Sequence, residues 1–222
     1  SDAIALDGRL LRREEDEVVR RVLIYNKPEG EVTTREDPEG RPTIFDALPS
    51  LKGARWIAIG RLDINTTGLL LLTDDGQFIH RMISPRKGIA KIYRAACAEP
   101  VTDAMLAALR SGVQLNDEPA PIAALACDRL DAHTLRLTLA EGKYHQVKRM
   151  VAAAGNRVER LHREAIGRYD LPADLPPGAP TEFLQTNDVE LRLPYATLIG
   201  PLRGSEEPLR VTSLSVAQLS AN

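Results

Sequence analysis

A carboxylate beside an arginine, between two apolar segments, is the feature of this sequence best suited to chemistry. Gly60-Arg61-Leu62-Asp63 separates the apolar residues 56–59 from the leucine run 69–72. If the two segments form paired strands, Asp63 lies at the end of the pair, where a rigid scaffold can present a reactive side chain. A polar turn that merely joins the strands is the alternative, because Asp and Asn are common in turns.

Asp63 could instead belong to a calcium-binding loop or to a pair of catalytic carboxylates. Four residues match ligand positions of a calcium-binding loop: Asp63, Asn65, Thr67 and Asp74. Such a loop lies between helices, whereas the flanking segments here resemble strands. A hydrolytic carboxylate pair would join Asp63 to Asp74 or Asp75 across a strand of about 15 Å, which is too long for paired chemistry. The sequence therefore favours neither a calcium site nor a hydrolytic carboxylate pair.

A second cluster, Lys91-Ile92-Tyr93-Arg94, combines an aromatic ring with cations. On a strand, Lys91 and Tyr93 share one face. A tyrosine flanked by cations can stack on a nucleobase while the cations neutralise phosphates. A buried sheet tyrosine explains the same pattern.

The third cluster, residues 141–150, opens a predicted helix with polar and basic residues, His145 among them. Unpaired N–H groups at such a helix start favour anions. Lys148 and Arg149 cannot both lie on the buried apolar stripe of the helix, so we expect one of them to face a cleft. An ordinary amphipathic helix with basic residues at its start is the alternative.

The composition limits the class of protein. The chain has 222 residues, of which 43% are apolar and 27% charged, as in a soluble globular protein. No apolar run approaches the roughly 20 residues of a membrane span, and no signal segment is recognised. Cys97 and Cys127 lack metal-like spacing, so we expect buried thiols in a reducing cytoplasm.

The charge distribution is uneven although the net charge is only -2. Residues 80–94 hold five basic residues and no acidic ones, and residues 141–168 hold seven basic against three acidic ones. Such a distribution can form a positive face suited to phosphate backbones. Ordinary solvated surfaces explain it equally well.

Most predicted strands follow one another directly, with a few helices between them. We predict strands near residues 22–25, 56–59, 69–73, 89–96, 113–115, 122–126, 134–139 and 158–166. We predict helices near residues 43–48, 76–82, 103–111 and 144–153, a hairpin within residues 4–11 and an edge strand at 189–193. This order favours an α+β fold with a mixed, largely antiparallel central sheet flanked by helices.

In their order and spacing these motifs resemble the RsuA-like pseudouridine synthases, a family that modifies ribosomal RNA. The resemblance runs from about Val22 to Leu184 and rests on four motifs: Asn26-Lys27-Pro28-x-Gly30, Gly60-Arg61-Leu62-Asp63-x-x-x-x-Gly68-Leu69, Lys91-x-Tyr93, and Glu141-Gly142-x-x-x-Gln146-Val147-Lys148-Arg149-Met150. It implies conversion of uridine to pseudouridine in folded ribosomal RNA or an assembly intermediate, without a metal or organic cofactor. We expect the protein to be cytoplasmic and a monomer by default.

The resemblance also implies roles for individual residues. Asp63 matches the catalytic carboxylate, Tyr93 the tyrosine that packs on the target base, and Arg149 the arginine that pairs with the carboxylate. The RNA-binding residues implied by the same motifs are Lys27, Arg61, Lys91, His145 and Lys148. Of these, Arg61 is expected to help fill the space that the flipped uridine leaves, and Lys27 to support the floor of the active site.

The expected domain organisation and target complete these predictions. Residues 1–21 are expected to be a linker or strand remnant after an S4-like RNA-binding domain that the sequence lacks, residues 22–185 the catalytic domain, and residues 186–222 an extension of unknown role. Residues 145–150 and 161–164 resemble the small-subunit branch of the family, so we expect small-subunit RNA as the target. Residues 37–43 and 185–187 resemble the large-subunit branch, which is the alternative. The alternative from another class is an inactive RNA-binding or ribosome-assembly module.

Overall fold

A ten-stranded mixed sheet organises the part of the chain that the computed structural model describes, namely residues 4–6, 9–11, 20–51, 53–84, 87–185 and 190–193. The strands are β1 (Ile4–Leu6), β2 (Arg9–Leu11), β3 (Arg20–Lys27), β4 (Ile57–Ile59), β5 (Thr66–Thr73), β6 (Lys91–Cys97), β7 (Ala126–Arg129), β8 (Thr134–Leu139), β9 (Val158–Ile166), β10 (Tyr169–Asp170), β11 (Pro180–Gln185) and β12 (Glu190–Leu193). The helices are a 3-10 turn (Ile44–Ala47), α1 (Gly76–Ile83), α2 (Asp103–Ser111) and α3 (Gln146–Ala153).

The order of strands in the large sheet is β12-β11-β3-β5-β9-β6-β8-β7, with β4 added to β5 and β10 to β9. Among the described strand pairs, only β5 and β9 run parallel. The predicted α+β class with a largely antiparallel sheet is therefore confirmed. Strands β1 and β2 pair with each other as the predicted hairpin, and β12 occupies the predicted edge position. The rest of the predicted extension, residues 186–189 and 194–222, lies outside the described residues.

Strand β5 shows why its leucine run has no polar alternation. Leu69 and Leu71 are buried on one face of the sheet against α1, whereas Leu70 and Leu72 are buried on the other face beside Trp56. A strand covered on both faces requires a continuous apolar sequence. A third apolar cluster packs α2 and α3 against β6, β8 and β9. The three clusters fix the two halves of the sheet on either side of the β5–β9 junction.

Two predicted strands are absent from the described structure. The segments 113–115 and 122–126 form a single bridge between Val113 and Ile122, and β7 begins only at Ala126. Val113 and Leu115 are nevertheless buried in the cluster around α2. Their apolar pattern reflects burial under a helix, which periodicity alone cannot distinguish from a short strand.

Gly68 allows the close approach of β5 and β9. Its φ is +102°, and a Cβ atom there would lie 2.3 Å from the backbone oxygen of Arg163 and 2.9 Å from its nitrogen. A side chain cannot occupy that space without separating the parallel strands. The two halves of the sheet therefore meet at a junction that depends on glycine.

The remaining expectations concern cysteines and membrane segments. Cys97 and Cys127 are buried free thiols, as predicted, and burial raises the pKa of both. No described helix is long and apolar enough to cross a membrane.

Candidate active site

A cleft opens beside the β5–β9 junction and collects residues from several separate parts of the chain. Its lining includes Arg61 and Asp63 from the loop after β4, Lys91 and Tyr93 from β6, and His145 from the start of α3. These five residues were all predicted to belong to the site. The predicted shared face of Lys91 and Tyr93 is confirmed, since both line the same cleft.

Backbone hydrogen bonds fix the loop that carries Asp63. The hydroxyl of Thr33 donates to the Leu62 oxygen at 2.8 Å, and the Leu62 N–H returns a bond of 3.3 Å to that hydroxyl. Leu62 is buried in the apolar cluster beneath the loop. The Thr66 N–H closes the turn by donating to the backbone oxygen of Asp63 at 2.9 Å. The carboxylate is thereby held at the cleft with its side chain 35% exposed.

Two side chains at the start of α3 contact the Asp63 carboxylate. His145 Nε2 lies 3.1 Å from Oδ1, and Lys148 Nζ lies 3.3 Å from Oδ2. Both carboxylate oxygens therefore have a nitrogen partner on one helical turn. A lysine ammonium and an imidazole placed in this way can stabilise negative charge on Asp63.

His145 reaches Asp63 from an unusual backbone conformation. Its φ and ψ are 46° and 33°. Among the described residues, it is the only residue other than glycine with a positive φ. The left-handed region costs an L-residue about 1 kcal/mol. The turn is closed by buried Gln146, whose Oε1 accepts a 2.8 Å hydrogen bond from the Lys143 N–H. Strain of this kind is concentrated at functional sites.

The predicted pairing of Arg149 with Asp63 is wrong. Arg149 Nη2 forms an ion pair with Asp117, and its Nη1 donates to the backbone oxygen of Tyr144 at 3.2 Å. Successive residues on an α-helix are rotated by about 100°, so Lys148 and Arg149 face different directions. The expectation that one of the two faces a cleft is met by Lys148.

The prediction that Lys27 contacts RNA is also wrong. Its side chain is fully buried, and Nζ donates to the backbone oxygens of Pro28, Ile64 and Thr66 at 3.0, 3.2 and 2.9 Å. All three ammonium protons are used, so none remains for a phosphate. Burial lowers the pKa of Lys27 to about 8, although nearby Glu31 and Asp63 raise it in part. Lys27 supports the loop beneath Asp63, in keeping with the support of the active-site floor that the resemblance also implied.

Arg163 on β9 is a cleft residue to which the sequence assigned no role. It is 4% exposed, and its Nε donates to the Leu69 oxygen at 2.8 Å. One of its terminal nitrogens is buried without a hydrogen-bond partner among the described residues. Its guanidinium carbon lies 6.0 Å from the centre of the Tyr93 ring. Burial lowers the pKa of Lys91, and the charge of Arg163 lowers it further.

Tyr144 is a second residue that sequence reasoning left without a role. Its ring stacks on His145 with 3.8 Å between the ring centres and 21° between the planes. It is 76% exposed, the largest exposure among the large apolar side chains described. An exposed aromatic beside a cluster of cations was a signal available in the sequence.

Two side chains that the rival sites around Asp63 would need make other contacts. Asp75 lies beyond the far end of β5, where its Oδ1 accepts hydrogen bonds from the N–H groups of Gln77 and Phe78 at the start of α1. Thr67 bonds to His162. Within the described residues, no group of three or more His, Cys, Asp or Glu side chains could hold a metal ion. The arrangement is suited to a carboxylate acting beside an aromatic ring on a planar, anionic ligand.

Comparison with known proteins agrees with a site that acts on a planar, anionic ligand. A family model described as RNA pseudouridylate synthase matches residues 21–153. The ribosomal large subunit pseudouridine synthase B of Xylella fastidiosa (strain 9a5c) is 43% identical over 226 residues, covering 95% of this chain. The protein of the same name from Escherichia coli (strain K12) is 46% identical over 189 residues, covering 83% of this chain.

A solved crystal structure of a pseudouridylate synthase matches the fold with a TM-score of 0.69 and 37% identity. The match covers 81% of this chain and 72% of that one. The chain spans 48% of the length of the Xylella protein and 65% of the length of the Escherichia protein.

Proposed function

The chain belongs to the RNA pseudouridylate synthase family, and we propose that it converts uridine to pseudouridine in ribosomal RNA of the large subunit. The observation that carries the proposal is the Asp63 carboxylate held between His145 and Lys148 in the cleft that Tyr93 lines. A protein that only binds RNA has no need of a carboxylate in that position.

The reaction exchanges one bond to the ribose for another. The bond between N1 and C1′ breaks, the uracil rotates, and a bond forms between C5 and C1′. The hydrogen at C5 leaves and N1 gains a proton, so that the product is an isomer of the substrate. Asp63 can attack the ribose, attack the base or remove a ribose proton; each route requires the carboxylate to be ionised.

The surrounding residues stabilise the charge on Asp63 and hold the target base. Lys148 and His145 stabilise the charge on Asp63, and Tyr93 packs on the target base. A uridine in folded RNA must leave its stack at a cost of a few kcal/mol. Arg61 is exposed on the lining of the cleft, where it can help fill the vacated space. Lys148 thus takes the role that the sequence resemblance gave to Arg149.

The choice of the large subunit rests on the relatives. Proteins 43% and 46% identical to this chain, from Xylella fastidiosa and Escherichia coli, carry large-subunit names. This outweighs the similarity of residues 145–150 and 161–164 to the small-subunit branch, so the large-subunit alternative replaces the preference drawn from sequence alone.

Release of tritium from uridine C5 tests the proposal. The protein is incubated separately with large-subunit and small-subunit ribosomal RNA carrying tritium at C5, both as free RNA and as assembly intermediates. We expect release from the large-subunit RNA, followed by mapping of the modified nucleotide. Release from the small-subunit RNA alone would contradict the proposed target. Binding without release from any RNA would favour the inactive binding module.

A further inference from the structure

The Tyr144 ring is exposed, but the contacts of its neighbour restrict its position. One face lies on the His145 imidazole, with 3.8 Å between the ring centres. His145 Nε2 is in turn 3.1 Å from Asp63 Oδ1. The backbone oxygen of Tyr144 accepts a hydrogen bond from Arg149, which is itself paired with Asp117. Because the side chain is 76% exposed, the other ring face is open to solvent.

This open ring face lies beside two lysines at the margin of the cleft. Lys143 lines the cleft and is ion-paired with Glu118, and Lys148 reaches Asp63 from the next helical turn. Cations beside an exposed aromatic ring can neutralise the phosphates of a strand whose base stacks on that ring. The ring differs in this respect from Tyr93, which is 7% exposed and lies inside the cleft.

We propose that Tyr144 is a stacking platform for an unpaired nucleobase of the RNA next to the target uridine. The proposal rests on the proposed function and adds a specificity-determining residue to it. The target base enters the cleft toward Tyr93, while a neighbouring base stacks on the open face of Tyr144. The contacts from Tyr144 to His145 and from His145 to Asp63 fix the position of the Tyr144 ring relative to Asp63. A base stacked on Tyr144 therefore positions the neighbouring uridine in the cleft.

The platform is tested with abasic RNA. Fragments of large-subunit RNA containing the mapped uridine, tritiated at C5, are made with an abasic nucleotide at each flanking position in turn. For the wild type, we expect one abasic position to raise KM roughly 5- to 150-fold, the range expected for the loss of one base–aromatic stack. Tyr144→Ala should raise KM for the unmodified fragment by a similar factor and show no further rise with that abasic fragment.

Three comparisons keep the result interpretable. Tyr144→Phe should behave like the wild type, because it retains the ring. Leu125→Ala removes an apolar side chain that is 62% exposed and outside the cleft lining, so it should retain the wild-type response to the abasic RNA. Circular dichroism and the urea midpoint of each variant report whether it is folded.

The proposal is overturned if the effects of Tyr144→Ala and the abasic position multiply independently, or if Tyr144→Ala lowers kcat with KM unchanged. The second result would mean that the ring acts only by holding His145. If the wild type itself releases no tritium, the proposed function fails, and the platform is then tested by equilibrium binding of the same fragments. There the same non-additive pattern in Kd is expected, and additive effects would overturn it.

Discussion

Lys148 Nζ lies 3.3 Å from Asp63 Oδ2, although the two residues are 85 positions apart in the sequence. The contact joins the loop after β4 to the start of α3 across the cleft. Both side chains are about one-third exposed. At such a partly buried position a charged hydrogen bond is stronger than at a fully solvated one. The position of α3 therefore controls the electrostatic environment of Asp63.

Replacing Lys148 by Met is expected to lower kcat by about 10- to 100-fold. The substitution keeps an unbranched apolar chain but removes the charge that stabilises the Asp63 carboxylate, and the loss of one such charged contact is of the order of 1.5–3 kcal/mol. Tritium release under saturating RNA measures the effect.

Arg149→Met is the matched control on the neighbouring residue, because Arg149 pairs with Asp117 and not with Asp63. We expect it to lower kcat by less than about threefold, which is under half the free-energy effect of Lys148→Met. A larger loss of kcat for Arg149→Met than for Lys148→Met would contradict the arrangement in the structure.

The buried Lys27 makes the stability of the fold depend on pH above neutrality. Its pKa is lowered to about 8 in the folded protein, whereas in an unfolded chain a lysine keeps its proton to about pH 10.4. Between these values the unfolded state binds more protons, so the contribution of Lys27 to the free energy of unfolding rises with pH, by at most about 1.4 kcal/mol per unit. Below pH 8 the contribution is constant.

Unfolding in urea of the wild type and of Lys27→Met, at pH values from 6 to 10, measures this contribution. The free energy of unfolding of the wild type, minus that of the variant, should be flat from pH 6 to about 7.5 and then rise. A difference that stays flat to pH 10 would show that Lys27 keeps its ordinary pKa. A difference that falls with pH would show that the pKa is raised.

Gly68 and Gly60 provide a second matched pair. Gly68→Ala places a Cβ atom against the backbone of Arg163 and keeps a φ of +102°. We expect a loss of unfolding free energy on the order of 3 kcal/mol or more, because β5 must move away from β9. Gly60→Ala meets nothing within 4 Å at a φ of +79°, so only backbone strain of about 1 kcal/mol is expected. Equal losses in urea unfolding would contradict the close approach of β5 and β9.

The sequence predicted those elements whose pattern is set locally. The amphipathic helices α1 and α2 were placed within one residue. The leucine run was correctly assigned to a strand, although β5 begins at Thr66, three residues earlier than predicted. The apolar residues of all three elements must be buried in any fold of this class. Residue types and spacing also identified Asp63, Tyr93 and Lys91, which the structure brings to one cleft.

The errors have tertiary causes. The rotation of α3 about its axis decides whether Lys148 or Arg149 reaches Asp63, and packing against the sheet sets that rotation. Lys27 was expected to contact RNA, but its ammonium group donates to the backbone oxygens of Pro28, Ile64 and Thr66 beneath the Asp63 loop. The left-handed conformation of His145, which brings its ring to Asp63 and Tyr144, has no signature in the residue type alone.

Tritium release by Asp63→Asn is the most direct test of the central claim that Asp63 carries the reaction. The amide keeps the size of the side chain and its place between His145 and Lys148, so folding and RNA binding should change little, but it supplies neither a nucleophilic nor a basic oxygen. With large-subunit RNA bound to saturation, we expect release by the wild type and none by Asp63→Asn above background. Release by Asp63→Asn within tenfold of the wild-type rate would contradict the account.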